Sequence, residues 1–320
     1  MNNSFEEIRK QIEISQNIVV AGHTNPDGDA IGACLGLAMS LKGMGKNVTV
    51  LLESYSEKYD IIPGKELVKF HDFQEIKVDL FISLDCGDKE RLGEAQKAFD
   101  NANCQINIDH HKSNTNFAKL NYAEETASST SEIVFWLLDS FMPINQKIAE
   151  ALYAGIIYDT AGFRHSSTSA KTMLAASKLI AYDINFTKIY NRFFDLKTFS
   201  ELKIIGRAFD NARLVFDGKL IITTITSSEI EACNGSNKEV DSIVNLIKGV
   251  KGTLIACFLY EKSKKEIKVS FRCEDGFDVC ALSQKFGGGG HVKAAGCTIN
   301  DCIENAEKLV LNEVEQLFCK

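Results

Sequence analysis

No run of apolar residues in this chain approaches the length of a membrane span, no Cys-x-x-Cys pair stands among its ten cysteines, and basic residues are not in excess. Each absence removes a class of function. A bilayer-crossing helix needs about 20 consecutive apolar residues. Disulfide and zinc frameworks need spaced cysteines, whereas several here sit in strand-like apolar runs, as Cys257 does in Leu254-Ile255-Ala256-Cys257-Phe258-Leu259; buried reduced thiols are the reading. A net charge of −7 is the wrong sign for gripping long duplexes, so a nucleic-acid substrate would be short or held by a local basic patch. The opening residues, Met1-Asn2-Asn3-Ser4-Phe5-Glu6-Glu7-Ile8-Arg9-Lys10, are polar where a secretory signal needs an apolar core, and the cytoplasm is the expected location. No internal repeat or low-complexity segment is evident. What remains is a chain of 320 residues, 45% apolar and 25% charged, enough for two packed domains.

The first half alternates short apolar runs with amphipathic stretches: 17–21, 30–44, 48–52, 79–84, 89–99 and 105–108. Short strands alternating with helices predict an α/β domain with a parallel sheet, whose ligands gather beyond the carboxyl ends of the strands. From about Ser129 the pattern turns helical, opened by Ser129-Thr130-Ser131-Glu132 at capping-box spacing. After Arg213 the texture changes. Val215-Phe216-Asp217-Gly218-Lys219-Leu220-Ile221 carries a hairpin signal, and strands are expected near 254–260 and 266–271. The expectation is therefore an N-terminal parallel-sheet domain over 1–183, a helical linker over 184–212 and a smaller mixed α/β domain over 213–320.

Acids and histidines collect at the strand-to-loop junctions of the first domain. His23-Thr24-Asn25-Pro26-Asp27-Gly28-Asp29 follows the first strand, Asp85 follows Leu80-Phe81-Ile82-Ser83-Leu84, Asp109-His110-His111 ends another strand, and Asp159 lies in the helical stretch 148–160. Individually each has an ordinary explanation. Asn-Pro-Asp-Gly-Asp is also a tight turn, and an acid beside histidines can simply orient a surface imidazole. As a set they read as a metal site. Asp27, Asp29, Asp85 and Asp159 brought together would repel and raise one another's pKa values unless cations neutralise them, and two divalent ions balance four negative charges. Imidazole mixed with carboxylate suits first-row metals such as manganese better than calcium. A pair of ions can clamp a phosphoryl group during in-line displacement, so phosphoester hydrolysis is the matching reaction. In the second domain Phe286-Gly287-Gly288-Gly289-Gly290-His291-Val292-Lys293-Ala294-Ala295-Gly296 is either a flexible loop or a phosphate-binding one. Gly288, Gly289 and Gly290 would expose backbone amides, with His291, Lys293 and the nearby Arg272 adding donors.

These motifs, in this order, resemble those of the DHH phosphoesterases, named for the triplet that stands here as Asp109-His110-His111, with Gly287 to His291 and Ala294-Ala295-Gly296 signalling the associated C-terminal domain. Within the family the two-domain length is most similar to the bacterial nanoRNase group, bifunctional enzymes described as oligoribonuclease and 3'-phosphoadenosine 5'-phosphate phosphatase. The resemblance implies that His23, Asp27 and Asp85 hold one manganese and that Asp29, Asp85, His110 and Asp159 hold the other, with magnesium or cobalt as alternative ions. It implies that Asp109 orients a histidine ligand through its other ring proton, that His111 lies against the scissile phosphate, and that Arg272 and His291 touch the far end of the substrate. The implied activity is hydrolysis of short oligoribonucleotides to mononucleotides and of 3'-phosphoadenosine 5'-phosphate to AMP and phosphate. Cleavage of cyclic or linear di-adenylates is the sibling alternative, and a nucleotide sensor without turnover the alternative of another class. Partners are short RNA or nucleotides, with no long duplex and no membrane; a homodimer is left open.

Overall fold

A computed structural model describes residues 2–69 and 78–318. The chain forms two compact units that divide between Leu196 and Lys197. The first contains α1 (Phe5–Ile14), β1 (Asn17–Ala21), α2 (Gly28–Gly43), β2 (Asn47–Leu51), β3 (Val68–Lys69), β4 (Leu80–Leu84), α3 (Gln96–Asp100), β5 (Cys104–Asp109), β6 (Leu120–Ala123), α4 (Thr130–Phe141), α5 (Gln146–Asp159), α6 (Ala170–Ile180) and α7 (Phe186–Tyr190). Its strands lie in the order β3-β2-β1-β4-β5-β6, every pairing parallel. The order reverses between β1 and β4, which opens a crevice beyond their carboxyl ends.

Alternation along the strands buries both sheet faces. Ile18, Val20, Leu80, Ile82, Ile106 and Ile108 join one core with residues of α2, α4 and α5, while Val19, Ala21 and Phe81 join another with Leu92 and Phe99. The helices over the first face meet closely. Gly28, Gly32 and Gly36 form a stripe along α2, one residue per helical turn, and a Cβ at Gly32 would lie 2.5 Å from the Ala151 carbonyl oxygen of α5. A Cβ at Gly155 of α5 would lie 2.9 Å from a carboxylate oxygen of Asp29. This backbone-to-backbone approach sets the start of α2 beside the end of α5.

The second unit contains α8 (Phe199–Asp210), β7 (Arg213–Val215), β8 (Leu220–Ile225), α9 (Ser227–Ala232), α10 (Ile243–Ile247), β9 (Ile255–Ser263), β10 (Glu266–Cys273), α11 (Val279–Gln284), β11 (Gly289–His291), β12 (Ala294–Ile299) and α12 (Ile303–Phe318). Its sheet runs β11-β12-β10-β9-β8-β7, antiparallel except for the parallel pair β8 and β9. Ile204, Ile205 and Ala208 of α8 pack on one face and Val279, Leu282, Val310 and Val314 on the other.

The α/β class and the expected parallel and mixed sheets are present, with local differences. The amphipathic stretch 89–99 is not one helix. A 3-10 segment, Glu90–Ala95, is broken at Gly93, whose φ is 53°, and α3 begins only afterwards. A Cβ at Gly93 would meet Thr24 at 2.5 Å, so the break lets the loop after β1 pass. The short edge strands β3 and β6 carry too little alternation to be read from sequence. The stretch 184–212 is partly helical, and the division between units falls inside it, leaving α8 with the second unit. Among the described residues no helix is long and apolar enough to cross a membrane.

Gly32→Ala is expected to lower stability by about 1–3 kcal/mol through overpacking against α5. Gly206→Ala, at an exposed position of α8 with no atom within 4 Å of the added methyl, is expected to raise it by roughly 0.5–1 kcal/mol. Urea unfolding midpoints compare the two; equal shifts would show that α2 and α5 are not in backbone contact.

Candidate metal centre

The carboxyl edge of the first sheet carries the acids. His23 follows β1, and Asp27 is the N-cap of α2, its carboxylate accepting the Asp29 and Ala30 amides at 3.0 and 3.2 Å. Asp29 then falls in the first turn of α2 and is fully buried. Asp85 follows β4 with φ at 60°, a left-handed conformation that Asp tolerates better than most residues and that turns the chain sharply at the strand end. Asp109 ends β5, His110 and His111 follow it, and Asp159 is the last residue of α5.

These residues converge. Three groups each have donor atoms within 4.8 Å of one another: His23 with Asp27 and Asp85, Asp29 with His110 and Asp159, and Asp85 with His110 and His111. Asp85 turns one oxygen to each side: Oδ2 lies 3.5 Å from His23 Nε2, and Oδ1 lies 3.5 Å from His110 Nε2. His23 Nε2 is also 3.9 Å from Asp27, and His110 Nε2 is 3.4 Å from Asp159. Two donors each about 2.1 Å from a shared ion at tetrahedral angles lie about 3.4 Å apart. The orientation of His23 fits the same purpose: its Nδ1 donates to the Thr24 carbonyl at 2.8 Å, which leaves Nε2 facing carboxylates, where it carries a proton in the ion-free site and offers a lone pair once a cation displaces that proton.

The charges show the same strain. Burial, followed by the charges of Asp85 and Asp159, pushes the Asp29 carboxyl well above its usual range. Burial, then Asp85 and Asp27, raises Asp159 to about 8. Burial opposes protonation of His23, yet Asp27 and Asp85 lift it to about 10. For Asp27 burial again opposes ionisation, and His23 with the two backbone amides holds the carboxyl below its usual range. The residues present therefore fit a pair of divalent cations, with Asp85 shared.

Several supporting contacts carried no signal in the sequence, where Thr130 and Ser131 stand only as part of a helix start. Asp29 receives the backbone amides of Thr130 and Ser131 at 2.7 and 2.9 Å, the first free N–H groups of α4. The Thr130 hydroxyl donates to Asp85 Oδ1 at 2.9 Å. Buried Asp109 accepts from His111 Nδ1 at 2.7 Å and from Asn114 at 2.6 Å; burial opposes its ionisation, but these bonds hold it below the usual carboxylate range. Its histidine partner is thus His111, the residue that the resemblance places against the scissile phosphate rather than among the metal ligands. The same bond, against burial, raises His111 to about 9. After α5, His165 Nδ1 lies 3.0 Å from the Asp159 carbonyl oxygen.

In the second unit the glycine run is not a loose loop. Gly289–His291 forms the edge strand β11, pairing with β12. A Cβ at Gly288 would strike the Gly296 carbonyl, and one at Gly290 would come within 2.5 Å of the Ala294 carbonyl; close packing calls for glycine at both. Arg272 and His291 are both register partners of Ala294. They therefore share one sheet face, two strands and about 10 Å apart, across a small alanine. Arg272 donates to Asn245 at 2.9 Å and to the Phe271 carbonyl at 2.8 Å. Lys293 pairs instead with Asp275 at 2.5 Å on the exposed surface.

Linkage sets the sign of the ion-free behaviour. A carboxyl raised from 3.8 to about 8, as Asp159 is, stabilises the fold fully below the lower value, and that contribution is lost as pH rises through the upper one. The ion-free chain is therefore expected to unfold more easily at about pH 8 than at about pH 5, and added Mn2+ to remove the difference. Ion binding adds about 2.7 kcal/mol per site at a hundredfold excess over Kd. Asp159→Asn should hold or raise the ion-free midpoint at pH 8 while losing most of the Mn2+ increment, read by thermal melts with and without chelator. An unchanged increment would remove Asp159 from the centre.

Residues 17–156 match the DHH family N-terminal domain, and residues 217–320 match the DHHA1 domain. The chain is 28% identical over 311 residues to a Thermus thermophilus protein named bifunctional oligoribonuclease and PAP phosphatase, covering 93% of this chain and 89% of that one. A Bacillus subtilis protein of the same name is 27% identical over 305 residues, covering 92% of each. The fold is similar to the crystal structure of an exopolyphosphatase-related protein from Bacteroides fragilis, with a TM-score of 0.88 and 28% identity over 98% of this chain and 95% of that one. With one domain match in each structural unit and both relatives aligned over most of its length, the chain belongs to the DHH family of phosphoesterases and carries a DHHA1 domain.

Proposed function

We propose that this phosphoesterase uses manganese to hydrolyse short oligoribonucleotides to mononucleotides and 3'-phosphoadenosine 5'-phosphate to AMP and phosphate, in the cytoplasm. The observation that carries the reading is the division of the Asp85 carboxylate, one oxygen 3.5 Å from His23 and the other 3.5 Å from His110. His23, Asp27 and Asp85 would hold one ion, and Asp29, Asp85, His110 and Asp159 the other. When bound, such a pair supplies Lewis-acid polarisation of phosphoryl oxygens and a lowered pKa for water.

The chain's own groups do the rest. Asp109 fixes the tautomer and ring plane of His111 through the 2.7 Å bond to Nδ1, and that bond favours the imidazolium form. A charged His111 is suited to stabilise negative charge on the phosphoryl group and to hand a proton to the leaving oxygen. Asn114 holds the other oxygen of Asp109, so the carboxylate cannot swing away. Arg272 and His291, two strands apart on one face of β10, β12 and β11, would grip the nucleotide end, Arg272 retaining donors beyond those spent on Asn245 and Phe271. The net charge of −7 favours short substrates over long duplexes. The names of the two curated relatives support the same substrate classes.

The test is a side-by-side assay with Mn2+ on a diribonucleotide, on 3'-phosphoadenosine 5'-phosphate and on linear di-adenylate. Turnover of the first two is expected; preference for the third would move the assignment to signalling nucleotides, and tight binding without turnover of any would make the protein a sensor. Asp85→Ala is expected to abolish activity while the chain remains folded by circular dichroism. Arg272→Ala should raise KM for the diribonucleotide more than it affects a small generic phosphodiester; equal effects would show that Arg272 does not hold substrate.

A further inference from the structure

Among the groups around the carboxylates, the start of α4 is the one whose geometry is fully drawn and whose role no motif assigns. Thr130 is completely buried and makes two contacts from one residue. Its backbone amide donates to Asp29 Oδ2 at 2.7 Å, and its hydroxyl donates to Asp85 Oδ1 at 2.9 Å. Asp85 Oδ1 is the oxygen that faces His110, whereas Oδ2 faces His23. Thr130 therefore touches the two carboxylates on the Asp29, His110 and Asp159 side of the centre and, through its side chain, only the oxygen of Asp85 on that side.

A carboxylate on a strand-end residue turns freely about its terminal torsion, and a shared carboxylate has to present its two oxygens to two different places at once. A hydroxyl bonded to one oxygen sets that torsion. Ser131 reinforces the anchor without duplicating it, since its amide donates to Asp29 Oδ1 and its hydroxyl reaches the Asp29 backbone carbonyl at 3.3 Å; neither touches Asp85. The cap residue Ser129 is committed to its own helix, accepting the Glu132 amide. The Asp85 hydrogen bond thus falls to Thr130.

We infer that Thr130 is a positioning residue for the shared carboxylate, orienting Asp85 so that its Oδ1 serves the cation held with Asp29, His110 and Asp159. The inference rests on the two-cation reading above. Partners that orient a metal ligand from outside commonly contribute 10–100-fold to metal affinity. Thr130→Val keeps the shape and the backbone amide while removing the hydroxyl, and Thr130→Ser restores it.

Full-length wild-type, Thr130→Val and Thr130→Ser proteins would be titrated with Mn2+ by calorimetry, with manganese electron paramagnetic resonance to count and pair the bound ions. Two ions per wild-type chain are expected. In Thr130→Val one of the two should weaken by about 10–100-fold with loss of the spin-coupled signal, the other holding within about threefold, and Thr130→Ser should restore both. Equal weakening of both ions would mark general loosening of the fold and overturn the inference, as would wild-type binding of both by Thr130→Val. Fewer than two ions on the wild-type chain would overturn the two-cation reading itself.

Discussion

Mutual repulsion among carboxylates held out of water is the constraint on which this molecule depends. Asp29 and Asp85 are almost wholly buried, and Asp159 is pushed up to about 8 by burial and by its acidic neighbours. A fold under no functional demand would place these acids at the surface. Here the strand order brings them to one edge, and the ordinary remedies are only partly applied: amides from α4 on Asp29, amides from α2 on Asp27, a hydroxyl on Asp85. The remaining charge is what makes the edge a place for cations.

Helix packing gives that edge its depth. Because α2 carries glycine where it faces α5, the two helices approach backbone to backbone, and Asp29 near the start of one lies beside Asp159 at the end of the other. The dipoles are used in opposite senses. The positive start of α2 receives Asp27, the positive start of α4 receives Asp29, and the negative end of α5 presents Asp159 where only a cation relieves it. The first unit is thus an arrangement of helix ends around a shared carboxylate, and the parallel sheet is the frame that aims them.

Much of this was legible before any fold was known. His23, Asp27, Asp29, Asp85, Asp109, His110 and Asp159 stand at strand ends or helix termini, where the change from apolar to charged residues is abrupt, and those are the positions the structure brings together or close behind. Gly93 was not legible as a break, since one glycine in an amphipathic stretch does not reveal that a neighbouring loop must pass it. The glycine run before His291 looked like a loop because glycine is the usual sign of one. It is an edge strand because it pairs with β12, and the Gly296 and Ala294 carbonyls leave no room for a Cβ at Gly288 and Gly290, a fact of pairing between segments that composition does not carry.

The residue types themselves determined the chemistry: carboxylates and imidazoles clustered in these motifs call for divalent cations wherever they meet. Tertiary structure decided how they meet. That Thr130 reaches Asp85, and that Arg272 comes to lie beside Ala294 on the side away from His291, follow from strand register and helix placement over separations of tens of residues. Spacing along a chain constrains such contacts only within a turn or a hairpin; beyond that, distance in space is set by packing, and packing belongs to the whole domain.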